Sequence, residues 1–263
     1  MSNHDSIKNR AIKLYRLLHH RKYREKYKLI VLEGFHLLNE ATRAGVKVKT
    51  VFYTSRFSRD PVNRALLEQQ SKANLIALDS NAFKAIAQTD NPQGVGAIAE
   101  APWNNQGFLL DQNRKFFVVL DAIQDPGNVG TIIRTAAAAA VDGVVLLPGT
   151  VDPFNPKALR ASMGGIFYLS LALLKHYGEW MDICSNRDIQ VVAADPEGSC
   201  LFHEVDFRLP SAVIIGNESK GISNELLETV DVAARIPISG EIASLNAAVA
   251  ASILIFERIR QSC

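Results

Sequence analysis

Cysteine is scarce: Cys184, Cys200 and Cys263 are the only three in 263 residues, and no CxxC or Cys/His spacing relates them. A disulfide framework and a zinc site are therefore not expected, and a reducing compartment suits the chain. No apolar run approaches the roughly 18 residues that cross a bilayer, because Asp142 interrupts the longest stretch. Met1 to Asp5 shows no signal-peptide pattern, so a soluble, intracellular protein is expected. Neither sign of charge is in excess, the net charge being +2. The GxGxxG dinucleotide fingerprint is missing, which makes a dehydrogenase remote.

What is present is a globular composition, 48% hydrophobic and 21% charged, with length enough for two cores. Charge is unevenly placed. Between Met1 and Lys28 nine lysines and arginines face only Asp5 and Glu25, with Tyr15, Tyr23, Tyr27, His19 and His20 interleaved. Cations among aromatics suit a polyanion whose bases stack. A solvated helix with Ile7, Leu14, Leu17 and Leu18 as its buried stripe explains the same pattern.

Periodicity gives an alternating series. Strands are expected at 29–32, 46–53, 74–78 and 95–99, with helices at 35–43, 62–70 and 81–87, as one α/β unit. Residues 104–113, polar and rich in chain breakers, read as a linker. The domains expected are thus 1–103, the linker, and 114–263. The second opens with an apolar strand at 116–120, a loop through Asp125–Gly130, a helix from Thr131 to Ala140 and a strand at 144–147: a βαβ unit whose loop lies where open α/β sheets bind ligands. Further helices are expected at 156–163, 179–186, 224–229 and 246–260, and strands at 167–173, 189–194, 212–215 and 232–236. A mostly parallel sheet covered on both faces follows.

Three loops of this half carry the chemistry. The first is Gly127-Asn128-Val129-Gly130. The second, Gly216-Asn217-Glu218-Ser219-Lys220-Gly221-Ile222-Ser223, imitates a P-loop, yet Ile222 stands where the lysine belongs, so an ATPase is not expected. The third, Ile236 to Asn246, enters the last helix, which Ser244 or Asn246 can cap. Singly, each is explained by turn chemistry.

Together, Asn128-Val129-Gly130-Thr131-Ile132-Ile133-Arg134, Ile215-Gly216-Asn217-Glu218-Ser219-Lys220-Gly221-Ile222, and Ile236-Pro237-Ile238 with Ser244-Leu245-Asn246-Ala247 resemble the three motifs of the SpoU/TrmH family of RNA ribose 2′-O-methyltransferases, in the SPOUT superfamily. Leu32-Glu33-Gly34 and Pro92-Gln93-Gly94 resemble its small RNA-binding domain. The resemblance implies a small α/β RNA-binding domain ahead of a parallel-sheet domain tied in a trefoil knot, which periodicity does not show. It implies S-adenosylmethionine as cofactor, held by Gly216, Ile236, Ile238 and Leu245, and no metal. Asn128, Arg134, Glu218, Ser244 and Asn246 match the polar residues around the reacting ribose. Lys157 and Arg160 are expected on RNA, or as a solvated helix end. The separate front domain resembles the family's ribosomal-RNA enzymes, so large-subunit ribosomal RNA is the first choice and transfer RNA the alternative. A homodimer through the second domain, and a cytoplasmic address with the mitochondrial matrix second, complete the expectation. A non-catalytic RNA-binding protein of the same fold is the rival.

Overall fold

The computed structural model describes residues 3–102 and 106–263, with side chains from Ser6 onward. The expected boundary at 103 and the start of the linker, Asn104 and Asn105, lie outside the described residues. The chain forms α1 (Asn3–Leu17), α2 (Arg21–Tyr27), β1 (Leu29–Glu33), α3 (Phe35–Arg43), β2 (Val48–Thr54), α4 (Ser55–Arg59), α5 (Pro61–Gln69), β3 (Asn74–Leu78), α6 (Ser80–Lys84) and β4 (Val95–Glu100). Then follow β5 (Phe116–Leu120), α7 (Pro126–Ala138), β6 (Gly143–Leu146), α8 (Pro156–Ser162), β7 (Leu171–Leu173), α9 (Tyr177–Arg187), β8 (Gln190–Ala194), β9 (Cys200–Leu201), β10 (Ser211–Ile215), α10 (Asn224–Leu227), β11 (Val232–Arg235) and α11 (Ala247–Ser262).

Two compact units result: Met1–Trp103 with Phe154–Phe167, and Asn104–Pro153 with Tyr168–Cys263. The first holds a sheet ordered β1-β4-β2-β3, with β4 antiparallel to β1 and β2, and β3 parallel to β2. The basic start of the chain is partly core. Tyr15 is fully buried, its ring edge-on to Phe52 at 5.2 Å, and Arg24 is buried, donating to the carbonyls of Leu18 and His19 at 2.9 and 2.8 Å. Neither is free to meet a base or a phosphate. Ile7, expected inward, is 49% exposed; Tyr23 and Tyr27 stack on each other near the surface instead.

The expected continuous domain from 114 to 263 is interrupted, because Phe154–Phe167 packs with the first unit. Phe154, Ala158, Leu159 and Ile166 are buried, Gly164 lies against the Glu40 side chain, and the Met163 carbonyl accepts from Nε2 of His36 at 3.0 Å. The strand expected from 167 is confined to Leu171–Leu173, since Gly165–Phe167 forms a 3₁₀ turn and Tyr168 is exposed.

The second unit is a seven-stranded sheet ordered β7-β6-β5-β10-β8-β11-β9, every neighbouring pair parallel. β5, β6 and β10 are buried along their whole length, as strands covered on both faces must be. Residues 106–110 are not spacer. Phe108 and Leu109 sit in the core with Phe117 and Trp180, a burial worth about 2 kcal/mol each. Arg187 clamps this turn by donating to the carbonyls of Leu109 and Asp111 at 2.6 and 2.8 Å, and to that of Arg114.

Candidate active site

The helix of the first motif begins five residues earlier than its apolar period suggests. Asp125 is the N-cap, its Oδ1 accepting from the Gly127 and Asn128 amides at 2.6 and 3.1 Å, and Pro126 takes the first helical position. That pairing fixes a helix start, because proline needs no amide acceptor there. Asn128 is thereby held in the first turn of α7 rather than in an open loop.

Glu218, in the loop after β10, completes the junction. Its carboxylate accepts from Nδ2 of Asn128 at 2.9 Å and from the Gln124 and Asp125 amides at 3.3 Å each. Partial burial pushes the carboxyl's pKa up, but the hydrogen bonds from Asn128 and the amides outweigh it, and the group is held below its ordinary value. On the other side Oδ1 of Asn128 accepts from Nδ2 of Asn246 at 2.9 Å. Asn246, rather than Ser244, caps α11, with its Oδ1 accepting from the Ala248 and Val249 amides. One chain of hydrogen bonds therefore joins all three motifs.

The loop bearing Glu218 is itself rigid. Asn217 and Gly221 exchange two backbone hydrogen bonds of 2.9 Å, and Nδ2 of Asn217 donates to the Ala122 carbonyl at 2.8 Å. Asp121, 1% exposed at the end of β5, accepts from the Ser223 amide at 2.7 Å and from the Tyr177 hydroxyl at 3.0 Å. Gly216 was expected among the residues that hold the cofactor. The structure gives the glycine another role: a β-carbon there would collide with the backbone of Gly221 and Ile222, so glycine is required for the loop to close on itself.

At the carboxyl ends of β8, β10 and β11 lies a cleft of about 510 Å³, in the range that holds small organic ligands. β6 and β7 run to one side of β5 and β8 lies beyond β10, so strand order reverses between β5 and β10, next to this cleft at the carboxyl ends of the strands. Gly216, Ile236, Ile238, Leu245, Ser244, Asn246 and Glu218 all line it. Aliphatic walls with a few polar groups fit a nucleoside bearing an aliphatic tail. Asp195, Pro196 and Asn217 also line it; the position of Asp195 directly after β8 is the signal that could have marked it. Among the described residues 236–245 make no hydrogen bond, and Ile242 is 62% exposed.

The remaining expected residues fall elsewhere. Arg134 is exposed on α7 and forms no hydrogen bond or ion pair among the described residues, so it is not tied to the Asn128 junction. Lys157 is exposed and Arg160 half-buried on α8 in the first unit, and Nη1 of Arg160 is buried without a partner.

Residues 115–256 match the SpoU rRNA Methylase family, and residues 9–97 match the MRM3-like substrate binding domain. The chain belongs to the SpoU rRNA methylase family, and the class implied by its motifs, an S-adenosylmethionine-dependent RNA ribose methyltransferase, stands. It is 33% identical over 97% of its length to the 23S rRNA (guanosine(2553)-2'-O)-methyltransferase RlmP of Bacillus subtilis, covering 98% of that protein. The SpoU methyltransferase AviRb from Streptomyces viridochromogenes, solved with AdoMet, superposes with a TM-score of 0.87 at 29% identity, covering 95% of this chain and 97% of that one. A solved structure concerned with 2-OH methylation of C/U34 on tRNA, 29% identical, has a TM-score of 0.52 and covers 95% of its own chain but 56% of this one.

Proposed function

We propose that the protein methylates a ribose 2′-hydroxyl of large-subunit ribosomal RNA. The observation that carries this reading is the junction of Asn128, Glu218 and Asn246 on the rim of a ligand-sized cleft. The match to RlmP extends over both units, whereas the tRNA-related structure matches little more than half the chain.

When bound, S-adenosylmethionine supplies an electrophilic methyl group on a sulfonium. The residues of the chain supply position. Ile236, Ile238 and Leu245 offer apolar walls, and the Asn128 and Asn246 carboxamides fix the rim where the ribose would stand. Aligning nucleophile and methyl is worth several kcal/mol of barrier. Glu218 is an anchor rather than a proton acceptor, since its carboxylate is committed to three donors and its pKa lies low. Arg134, a fork with a free guanidinium, clamps the target phosphate in this reading. Ser244 faces the cleft beside the cofactor walls. The first unit selects the RNA, with Lys157 and Arg160 toward its backbone.

A homodimer forms through the second unit in the same reading, supported by Val249 and Phe256, 48% and 51% exposed on α11. The return of α11 onto α7 and β10, after β11 has paired with β8, supports the knotted path. No helix among the described residues is long and apolar enough to cross a membrane, and the cytoplasm is the proposed site of action.

The test is calorimetric titration with S-adenosylhomocysteine, followed by tritium transfer from labelled cofactor to ribosomal and transfer RNA fractions. Label in large-subunit ribosomal RNA is expected. Label in transfer RNA alone would correct the substrate, and binding of RNA without the cofactor would favour a protein that has lost its chemistry.

A further inference from the structure

The first unit holds a cavity larger than the cofactor cleft, about 690 Å³, which the methyl-transfer reaction does not use. It lies along the sheet edge where β1, β2 and β3 end and β4 begins. Phe35, Arg56, Lys84, Asp90, Asn91 and Gln93 are among its lining residues.

Its rim is fixed in advance. Glu33, buried at the end of β1, accepts from the Gln88 and Thr89 amides at 2.9 and 3.0 Å and from the Thr89 hydroxyl, pinning the start of the 88–94 loop. The Phe35 amide donates to Oε1 of Gln93 at 2.8 Å, which sets the carboxamide's orientation and leaves both Nε2 hydrogens without a partner among the described residues. Gly94, at φ +82°, has Thr54 Oγ1 2.5 Å from where a β-carbon would sit, so the loop is packed tightly against β2. Arg56 and Lys84 are exposed and form no ion pair or hydrogen bond among the described residues.

A preformed hollow with a half-buried aromatic ring, carboxamide edges and two uncommitted cations has the chemistry of one unpaired nucleotide: a π-face, a hydrogen-bonding base edge and a phosphate. Duplex RNA offers the phosphates but no separate base to enter a concave site. We infer that this cavity receives a single unpaired nucleotide of the substrate RNA, its phosphate toward Arg56 and Lys84 and its base against Phe35, Asn91 and Gln93. The inference rests on the reading of the first unit as the RNA-selecting one. It adds that selection is of an extruded base, at a site separate from the cofactor cleft.

The experiment uses the full chain with a synthetic stem-loop RNA carrying 2-aminopurine in its loop, beside a fully paired duplex of the same stem. Wild type should favour the stem-loop and change the 2-aminopurine fluorescence. Arg56→Glu combined with Lys84→Glu should weaken stem-loop binding at least tenfold and reduce the salt slope by about 0.7, the value for one phosphate of a single strand. Phe35→Leu, which keeps an apolar side chain but removes the ring, should cost about tenfold and abolish the fluorescence change. An unchanged melting temperature and circular dichroism spectrum certify the fold of each variant. Lys72→Glu, an exposed charge in the same unit outside the cavity, is the control. If the double variant and Phe35→Leu bind like that control, the cavity is not the site while the RNA reading survives. Wild type that binds neither RNA overturns both.

Discussion

The Asn246 carboxamide donates to Oδ1 of Asn128 at 2.9 Å across 118 residues of sequence, and the same Asn128 donates to Glu218. Each asparagine uses both ends of its amide. Asn128→Asp would set a second carboxylate against Glu218, where no donor remains between them. Turnover should fall about 100-fold through misplacement of the reacting groups, while the dissociation constant for S-adenosylhomocysteine stays close to wild type. Equal losses in both would mean that Asn128 shapes the cofactor cleft rather than the reacting rim.

Glu218 sets an acid limit. Its folded-state pKa lies below the ordinary value of 4.5, so its contribution to stability is complete above that value and is lost as pH falls through the lower, folded one. Glu218→Gln removes the charge that the Gln124 and Asp125 amides point at. The gap in melting temperature between wild type and variant should be widest above the ordinary carboxyl value of 4.5 and close as pH falls through the lower, folded-state one. A gap that does not vary with pH would assign the effect to shape rather than charge.

Arg134→Lys keeps the positive charge and loses the planar fork. Methyl transfer should drop at least tenfold, with cofactor binding intact, because bidentate contact is not reproduced by an ammonium. Survival of near wild-type activity would end the clamp assignment.

Val249 and Phe256 are two turns apart on α11 and share a face. Val249→Asp with Phe256→Asp should convert a dimer to a monomer in sedimentation without lowering the melting temperature of the subunit, since both side chains are about half exposed. A wild type that sediments as a monomer at all concentrations would remove the dimer.

The stretch 236–245 makes no hydrogen bond among the described residues, yet four of its residues, Ile236, Ile238, Ser244 and Leu245, line the cleft. Its amides should exchange with deuterium rapidly in the free protein and slow by an order of magnitude or more with S-adenosylhomocysteine, as ligand contacts replace missing internal ones. Exchange already slow in the free protein would show that the loop is built before the ligand arrives.

The strands and the three motifs were readable because each pairs an apolar run with a chain-breaking loop, and local pattern suffices for that. The bounds of α3 and β3 agree with the periodicity to the residue. Where the reading failed, the cause was non-local. The glycines at 127 and 130 suggested a loop, but the Asp125-Pro126 start outweighs two glycines in a helix whose buried face carries Val129, Ile132, Ile133 and Ala136. Phe108 and Leu109 looked like spacer because their neighbours are polar, and only the later residues Trp180 and Arg187 give them a place. Glu218 finds its partners in backbone amides at 124 and 125, and main-chain donors leave no mark in a sequence. Asp195 was missed for lack of any glycine beside it to draw notice.

The detour of Phe154–Phe167 makes the first unit a discontinuous piece of the chain, with Phe154, Ala158 and Leu159 buried in it. A gene fragment ending at residue 103 would encode a sheet without part of its cover. Nor can this unit be exchanged between related enzymes as one cassette: a chimera that replaced only the first 103 residues would set a foreign sheet under the resident α8. If the first unit selects the RNA, as proposed, wholesale replacement of that unit has to carry both stretches, which couples the evolution of the front of the gene to a short segment lying far downstream in it.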